Sequence, residues 1–269
     1  MDGSIAVVFD SAGTLLHMYR VAKDTVKGEY FDEITTTDLV SKKPNCGLVI
    51  IHTGPDKIMS SQPAKRIYEF LTDNKISIDI SCSSTPITLD DVLQCIKNDT
   101  QTSMQDIHDV VNAIKLKCPD IFYLGIGFVV DIESQGIVYT ISTGGRPFTN
   151  TQAVLNTLQS MEIDTYIASG DSMRNLENLA RLVEIPLERV YDVATTQKKE
   201  WVIKSLKKQY DKVVMVGDGI NDILALRASD LGVLSIQQTG TCIEKLSLEA
   251  DIIITDIKQI VKIIKEMKQ

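Results

Sequence analysis

The sequence predicts an α/β fold: a Rossmann-like parallel sheet with helices on both faces, interrupted by an inserted α+β domain. Three observations carry this expectation. The C-terminal half alternates short β-branched runs with stretches of helical periodicity, as a parallel sheet with crossover helices requires. A lone run near the N-terminus, Ile5–Phe9, is apolar throughout, as a strand buried on both faces is. Between these parts lies a long stretch of mixed pattern without repeats or low-complexity tracts.

Taken in order, Ile5–Phe9 is the first strand and ends at Asp10. In the middle region Gly47–His52 reads as a strand, Ala64–Leu71 as a helix and Ser77–Ile80 as a strand. Leu89–Ile96 and Asp106–Lys117 read as helices, and Tyr123–Asp131 and Ile137–Ser142 as a β-pair around Ser134-Gln135-Gly136. The inserted domain is accordingly placed at residues 27–138 and the α/β core at 1–26 and 139–269. Gly144-Gly145-Arg146-Pro147 reads either as a hinge between domains or as a plain turn. It precedes a helix that leads into Ile163–Ala168.

In the core, the apolar run Thr165–Ala168 ends at Ser169-Gly170-Asp171. Arg174–Val183 is helical, with Leu176, Leu179, Ala180 and Val183 on one face, and Val190–Ala194 is a strand. Lys199–Tyr210 is an amphipathic helix with Val202, Ile203 and Leu206 on one face and Lys204, Lys207 and Lys208 as a solvated charge run. The strand Lys212–Val216 ends at Gly217-Asp218. Ile223–Ala228 is helical, Leu231–Ile236 and Asp251–Thr255 are strands, and Lys258–Met267 is a closing helix.

Composition narrows the function. Lys plus Arg number 28 and Asp plus Glu 36, a net charge of −8, which excludes a binder that relies on a cationic surface to hold nucleic acid or anionic membrane. Hydrophobic residues make up 43% and charged residues 24%, the balance of a globular chain that builds its own core. Cys46, Cys82, Cys95, Cys118 and Cys242 are odd in number and widely spaced, so a reducing cytoplasm is expected rather than a disulfide framework. His17, His52 and His108 offer no metal-ligand spacing. The N-terminal residues do not read as a signal peptide, and the longest apolar runs, such as Leu48–Ile51, are far too short to span a membrane.

Three polar loops each follow a predicted parallel strand: Asp10-Ser11-Ala12-Gly13-Thr14, Ser169-Gly170-Asp171, and Asp218-Gly219-Ile220-Asn221-Asp222. Ligands of open parallel sheets bind outside the carboxyl ends of the strands, so the three loops are expected to converge on one edge. Gly13, Gly170 and Gly219 allow tight turns and close backbone approach. Carboxylates gathered in this way repel and call for a cation, and an all-oxygen site beside phosphate suits Mg²⁺. Lys199 would supply a further positive charge for a phosphoryl group.

The set FDSAGTL, IASGD, TTQKK and MVGDGINDILAL resembles the four motifs of the haloacid dehalogenase superfamily. Within it the nearest likeness is to the phosphorylation domain of P-type ATPases, with D-K-T-G-T, T-G-D, a lysine, and G-D-G-x-N-D followed by A-L. The likeness runs through Tyr166–Asp256, including Ala228–Val233 and Ala250–Ile254, and does not extend to the middle domain. Without membrane spans a complete pump is not expected.

The resemblance implies roles. Asp10 matches the nucleophile that becomes an aspartyl phosphate. Asp10, Asp218 and the carbonyl of Ala12 match Mg²⁺ ligands, and Asp222, counted with the metal residues, stands behind them and orients the site. Ser169 and the Gly170 amide match the groups that hold a phosphoryl oxygen, with Ser11 and Thr14 counted beside them as substrate-binding. Lys199 best fits the family lysine, with Lys198 as the neighbouring alternative; Asn221 should reach the phosphoryl group, and Asp171 ranks below the others as a structural residue. Most phosphatases of the superfamily carry a second aspartate two residues after the nucleophile as general acid and base, and here Ala12 stands there. Phosphonate hydrolases with alanine at that place use a cap lysine, but Lys23 and Lys27 read as solvated surface lysines.

The expected function is therefore Mg²⁺-dependent phosphoryl hydrolysis or transfer on a phosphorylated small molecule or nucleotide. It would be slowed by Ala12, with substrate entering between core and cap. The alternatives are a slow autophosphorylating ATPase and a non-catalytic phosphate- or nucleotide-binding module.

Overall fold

A computed structural model describes residues 3–32, 36–41, 43–119, 121–241 and 244–268. In chain order the first elements are β1 (Ile5–Phe9), β2 (Leu16–Asp24), β3 (Tyr30–Asp32), α1 (Thr36–Ser41), β4 (Cys46–Ile51), α2 (Pro55–Met59), α3 (Ile67–Asp73) and β5 (Ile78–Ser83). There follow α4 (Leu89–Asn98), α5 (Met104–Lys117), β6 (Tyr123–Asp131), β7 (Gly136–Pro147), α6 (Thr151–Ser160), β8 (Asp164–Ala168), α7 (Met173–Leu182) and β9 (Val190–Tyr191). The chain closes with α8 (Thr196–Leu206), β10 (Lys212–Gly217), α9 (Ile223–Ala228), β11 (Leu231–Ser235), α10 (Glu244–Ser247), β12 (Ile252–Ile254) and α11 (Gln259–Met267). Single 3₁₀ turns occupy Leu187–Arg189 and Ile220–Asp222.

The chain divides into two compact units, residues 1–18 with 146–269, and residues 19–145. The sequence reading put these limits at 26/27 and 138/139. The difference arises because β2 was not read as a strand and β7 is longer than its sequence pattern announces, and each runs across a division.

The first unit holds a parallel sheet in the order β12-β11-β10-β1-β8-β9. All five residues of β1 are buried, between β10 and β8. This central place is what the unbroken apolar run implied. Because β8, β1 and β10 are adjacent and parallel, the loops that follow them leave from one edge. On one face α8 and α9 cover the sheet, packing Val202, Ile203, Leu206, Ala225 and Leu226 onto Ala6, Val8, Val213 and Met215. Thr195 caps α8 by accepting the Lys198 N–H at 3.2 Å. The buried stripe of that helix is Lys199, Val202, Ile203 and Leu206, one face at helical spacing.

The second unit is an antiparallel sheet in the order β3-β2-β7-β6-β4-β5, with helices on both faces. Successive residues of a strand point to opposite faces. So Val49, Phe128 and Val130 join the core under α3, α4 and α5, while Leu48 and Val129 join a smaller core with Leu39 and Val40 of α1. Thr88 and Asp91 form a capping box at the start of α4, as Ser103 and Asp106 do at α5.

Several sequence expectations need correction. Gly144 and Gly145 pair with Leu124 and Tyr123, so Gly144–Pro147 is strand and not a turn. The expected strand Val190–Ala194 is only two residues long. Lys23 is not a solvated lysine: its ammonium lies 2.8 Å from Asp106 and 2.7 Å from Asp109, and its side chain is 14% exposed. Burial opposes its charge, but the two carboxylates outweigh burial and hold it protonated, which leaves no free amine for Schiff-base chemistry. Lys27 is exposed, as expected. Cys46, Cys82 and Cys95 are free thiols, and Cys242 lies outside the described residues. Among the described residues no helix is long and apolar enough to cross a membrane.

Candidate active site

The loop after β1 folds back on one carbonyl. Ser11 O accepts the amides of Leu15 and Leu16, both at 2.8 Å, and Gly13 N donates to Leu16 O at 2.8 Å. Asp10 N donates to Val216 O at 2.9 Å, which ties the loop to β10. Gly13 is in the left-handed region, at φ +75°, and the Asp218 carboxylate lies against it: a Cβ on Gly13 would meet Asp218 Oδ2 at 1.8 Å. Two loops therefore interlock at a place where a side chain would be strained and would push the Asp218 carboxylate aside. Gly170 and Gly219 do not adopt positive φ, but Gly219 still opens a tight turn, its O accepting the Asp222 amide at 3.0 Å.

Lys199 is fully buried, and its Nζ donates to Asp10 Oδ1 at 2.6 Å and to Asp222 Oδ1 at 2.7 Å. Helix phase separates the two lysines. Lys199 occupies the buried stripe of α8, whereas Lys198 turns away and binds the carbonyl of Asp192. The other oxygen of Asp222, Oδ2, accepts the amides of Asp218 at 3.1 Å and Gly219 at 3.0 Å. Asp222 is therefore engaged at both oxygens, with Lys199 on one side and the loop after β10 on the other.

Carboxylate oxygens of Asp10, Asp218 and Asp222 come within 4.8 Å of one another. With all groups charged, three carboxylates and one ammonium sum to −3 + 1 = −2. That is the charge a divalent cation would neutralise, and the all-oxygen donor set fits Mg²⁺. In the chain alone a proton answers part of this deficit. Burial pushes the Asp10 carboxyl up to about 7, aided by Asp222 and Asp171, although Lys199 acts in the opposite direction. Burial works against the charge of Lys199 too, but Asp10 and Asp222 prevail and raise its pKa.

Ser169, 2% exposed, is placed at the end of β8 with its Oγ 2.6 Å from Ser11 Oγ. Asp171 Oδ2 accepts from Ser11 Oγ at 2.8 Å and from Ser169 Oγ at 3.1 Å. Of the remaining expected residues, Thr14 is buried and its Oγ1 has no hydrogen-bond partner among the described residues. Gly170 and Asn221 are exposed at the loop surface, and Ala12 is half-buried.

Sequence reasoning undervalued Asp171, which collects both serine hydroxyls. It also missed Gln237 and Gln238 in the loop after β11. Gln237 Nε2 donates to Thr14 O at 2.5 Å, and its Oε1 accepts from Ile257 N at 3.1 Å. Gln238 binds both backbone groups of Met18, accepting from N at 2.8 Å and donating to O at 3.1 Å. No motif signals these contacts, because they depend on how the end of β11 lies beside the loop after β1.

The interlock at Gly13 leads to a first prediction. Gly13→Ala is expected to weaken Mg²⁺ binding by about tenfold to a hundredfold, the range found when residues that orient metal ligands are changed. Calorimetric titration would measure it, with circular dichroism showing the fold retained. Unchanged Mg²⁺ affinity would mean that Asp218 does not hold the metal from this position.

The chain matches the family model for haloacid dehalogenase-like hydrolases over residues 6–230. It is 32% identical to a soluble P-type ATPase-like phosphatase of Methanocaldococcus jannaschii, over 98% of this chain and 94% of that protein. It is 40% identical to a copper-transporting ATPase of Saccharomyces cerevisiae over 48% of this chain, and that alignment spans only 14% of the pump. A similar solved structure is a zinc-transporting PIB-type ATPase in its E2.Pi state, with a TM-score of 0.48 and 14% identity, covering 99% of this chain and 41% of that one.

Proposed function

We propose that this chain, which belongs to the haloacid dehalogenase-like hydrolase family, is a phosphatase that works through an aspartyl phosphate on Asp10. The observation that carries the reading is the buried Lys199 ammonium bridging Asp10 and Asp222 beside Asp218, at the carboxyl ends of adjacent parallel strands. The relative named as a soluble phosphatase, matched along almost its whole length, supports it.

In this reading an Asp10 carboxylate oxygen attacks phosphorus, and the leaving oxygen departs with the electrons of its bond. Water then attacks the phosphoryl group, which returns the Asp10 carboxylate and releases inorganic phosphate. Lys199 holds Asp10 in place and offsets negative charge in the transition state, and Ser169 donates a hydrogen bond to a phosphoryl oxygen. Asp10, Asp218 and the Ala12 carbonyl would hold Mg²⁺, which when bound supplies charge neutralisation for phosphoryl oxygens. Asp222 keeps Lys199 and the β10 loop positioned. Substrates are phosphorylated small molecules or nucleotides.

Ala12 determines which of them turn over well. No carboxylate stands there to protonate a leaving oxygen or to take a proton from water. Acyl phosphates and nucleoside polyphosphates, whose leaving groups need little protonation, are preferred over sugar phosphates. The experiment is single-turnover kinetics with acetyl phosphate and Mg²⁺. The wild type is expected to accumulate a hydroxylamine-sensitive phosphoenzyme. Ala12→Asp is expected to speed its decay and to raise turnover of alkyl phosphates by about tenfold or more, within the range of general acid–base assistance. The gain should be smaller for p-nitrophenyl phosphate. Equal decay rates in the two folded proteins would exclude Ala12 as the limit on hydrolysis. Absence of both phosphoenzyme and turnover would favour a phosphate-binding module instead.

A further inference from the structure

We propose that Gln237 and Gln238 are positioning residues that hold the Thr14–Met18 backbone, and through it turn the Ala12 carbonyl away from that segment to meet Mg²⁺. This rests on the metal assignment in the reading above. In a trans peptide the C=O and the following N–H point in opposite directions, and none of the described peptides is cis. Ser11 O accepts the amides of Leu15 and Leu16, both at 2.8 Å, so the Ala12 N–H points away from them. Gly13 N donates to Leu16 O at 2.8 Å, so the Ala12 carbonyl points away from Leu16 as well. Ala12 and Leu16 thus form a parallel bridge in which Ala12 spends neither of its own polar groups. The direction of the Ala12 carbonyl is therefore set by where residues 14–18 lie.

Two peptide planes of that segment are pinned from outside. The Leu15 carbonyl, in the plane of the Leu16 amide, accepts from Phe148 N at 3.1 Å and from Thr151 Oγ1 at 2.8 Å. The Thr14 carbonyl, in the plane of the Leu15 amide, accepts from Gln237 Nε2 at 2.5 Å. Gln237 Oε1 in turn accepts from the N–H of Ile257, a fully buried residue that leads into α11. A carbonyl only accepts and a backbone N–H only donates, so these partners decide which way round the Gln237 amide lies. At the far end Gln238 meets both backbone groups of Met18, as a residue of a paired antiparallel strand would. Two consecutive side chains from the loop after β11 thus grip the segment at its two ends. Both glutamines are half-buried, and water could satisfy Thr14 O in their place. A water is not tethered to the sheet, however, so what the glutamine contributes is position and not merely a satisfied acceptor.

The test combines amide exchange followed by NMR in the metal-free protein with calorimetric titration of Mg²⁺. Gln237→Met keeps the length of the side chain and removes both hydrogen bonds. The Leu15 amide should then exchange at least about threefold faster relative to the Leu16 amide than in the wild type, because only the Leu15 plane has lost its anchor. A merely structural role would speed both amides alike. Mg²⁺ affinity should fall about tenfold, the low end for residues that orient metal ligands. Thr88→Ala removes the cap of α4, so it lowers stability without touching this loop and should change neither Mg²⁺ affinity nor the ratio of the two exchange rates. Gln238→Met releases the other end and should also weaken Mg²⁺ binding; it decides the matter if Gln237→Met does not fold. Mg²⁺ affinity within about twofold of wild type in the folded glutamine variant overturns the proposal. Equal acceleration at Leu15 and Leu16 does so too, as does an equal loss of Mg²⁺ affinity in Thr88→Ala. None of these readouts needs turnover. A wild type that binds Mg²⁺ but makes no phosphoenzyme would therefore refute the phosphatase reading while still testing this one.

Discussion

Asp10→Asn is expected to abolish turnover of every phosphate ester and anhydride while leaving the fold intact. The amide matches the carboxylate in size but has no anionic oxygen to attack phosphorus. Asp218 and Asp222 are committed to other partners, the latter through Lys199 and two backbone amides. A retained tenth of wild-type activity would rule out covalent catalysis at this residue. The same variant tests the electrostatics by pH. In the metal-free chain Asp10 is raised from 3.8 to about 7, so the folded state holds this proton more tightly than the unfolded state. The stability it contributes is present in full below the unfolded value and is lost as pH rises through about 7. Between those limits the metal-free wild type should lose stability relative to Asp10→Asn, which has no such proton. Binding of Mg²⁺ near pH 6 should release about one proton from the wild type, none near pH 9, and none from Asp10→Asn at either pH. Calorimetry in buffers of different ionisation enthalpy gives that count directly. Equal proton release from both proteins would place the titrating group elsewhere.

The parts of this fold that were legible in the sequence share one physical cause. β1, β10 and β11 lie inside a parallel sheet, so their residues are apolar on both faces, and helix–strand alternation marks the crossovers. Three loops on one edge then follow from topology. Ile5–Phe9 and Ile223–Ala228 coincide with β1 and α9. β2 was missed because Leu16–Asp24 carries His17, Arg20 and Lys23 among its apolar residues. In this edge region of an antiparallel sheet, polar side chains find local partners. β3 is three residues long with both ends exposed, and so offers no pattern. Within the site, the residue types and their order were readable, since the chemistry fixes them. Lys199 was favoured over Lys198 by the offsets of Val202, Ile203 and Leu206, which share its buried stripe, but its bond to Asp10 was not read. The contacts of Ser11 with Ser169 and Asp171, and those of Gln237 and Gln238 with Thr14 and Met18, were not readable, because they join residues 158 or more apart whose spacing no local pattern encodes.

Lys199→Met is expected to damage stability and catalysis together, and the two losses should separate by pH. Methionine fills most of the space of the lysine stem, so packing against α9 and the sheet is largely kept. What disappears is the ammonium that bridges Asp10 and Asp222, leaving two buried carboxylates without it. Removing one member of a buried ion pair costs about 3–5 kcal/mol, and urea denaturation of the metal-free protein at pH 8 should show a loss of that order. At lower pH the loss should shrink, because a proton on Asp10, whose pKa burial already raises, removes one of the two negative charges. Mg²⁺ should restore stability by the same logic. It should not restore rate. The ammonium also offsets charge that develops during phosphoryl transfer, and deletion of one such group lowers kcat by about 10²–10³-fold. Lys199→Arg should not rescue, since a planar, larger guanidinium has no room at a fully buried position. In an Asp10→Asn background only one carboxylate depends on the lysine, so Lys199→Met should cost measurably less there than in the wild type. Equal costs in the two backgrounds would mean that Lys199 is held by Asp222 alone, and that its 2.6 Å contact with Asp10 contributes nothing to the energetics of the site.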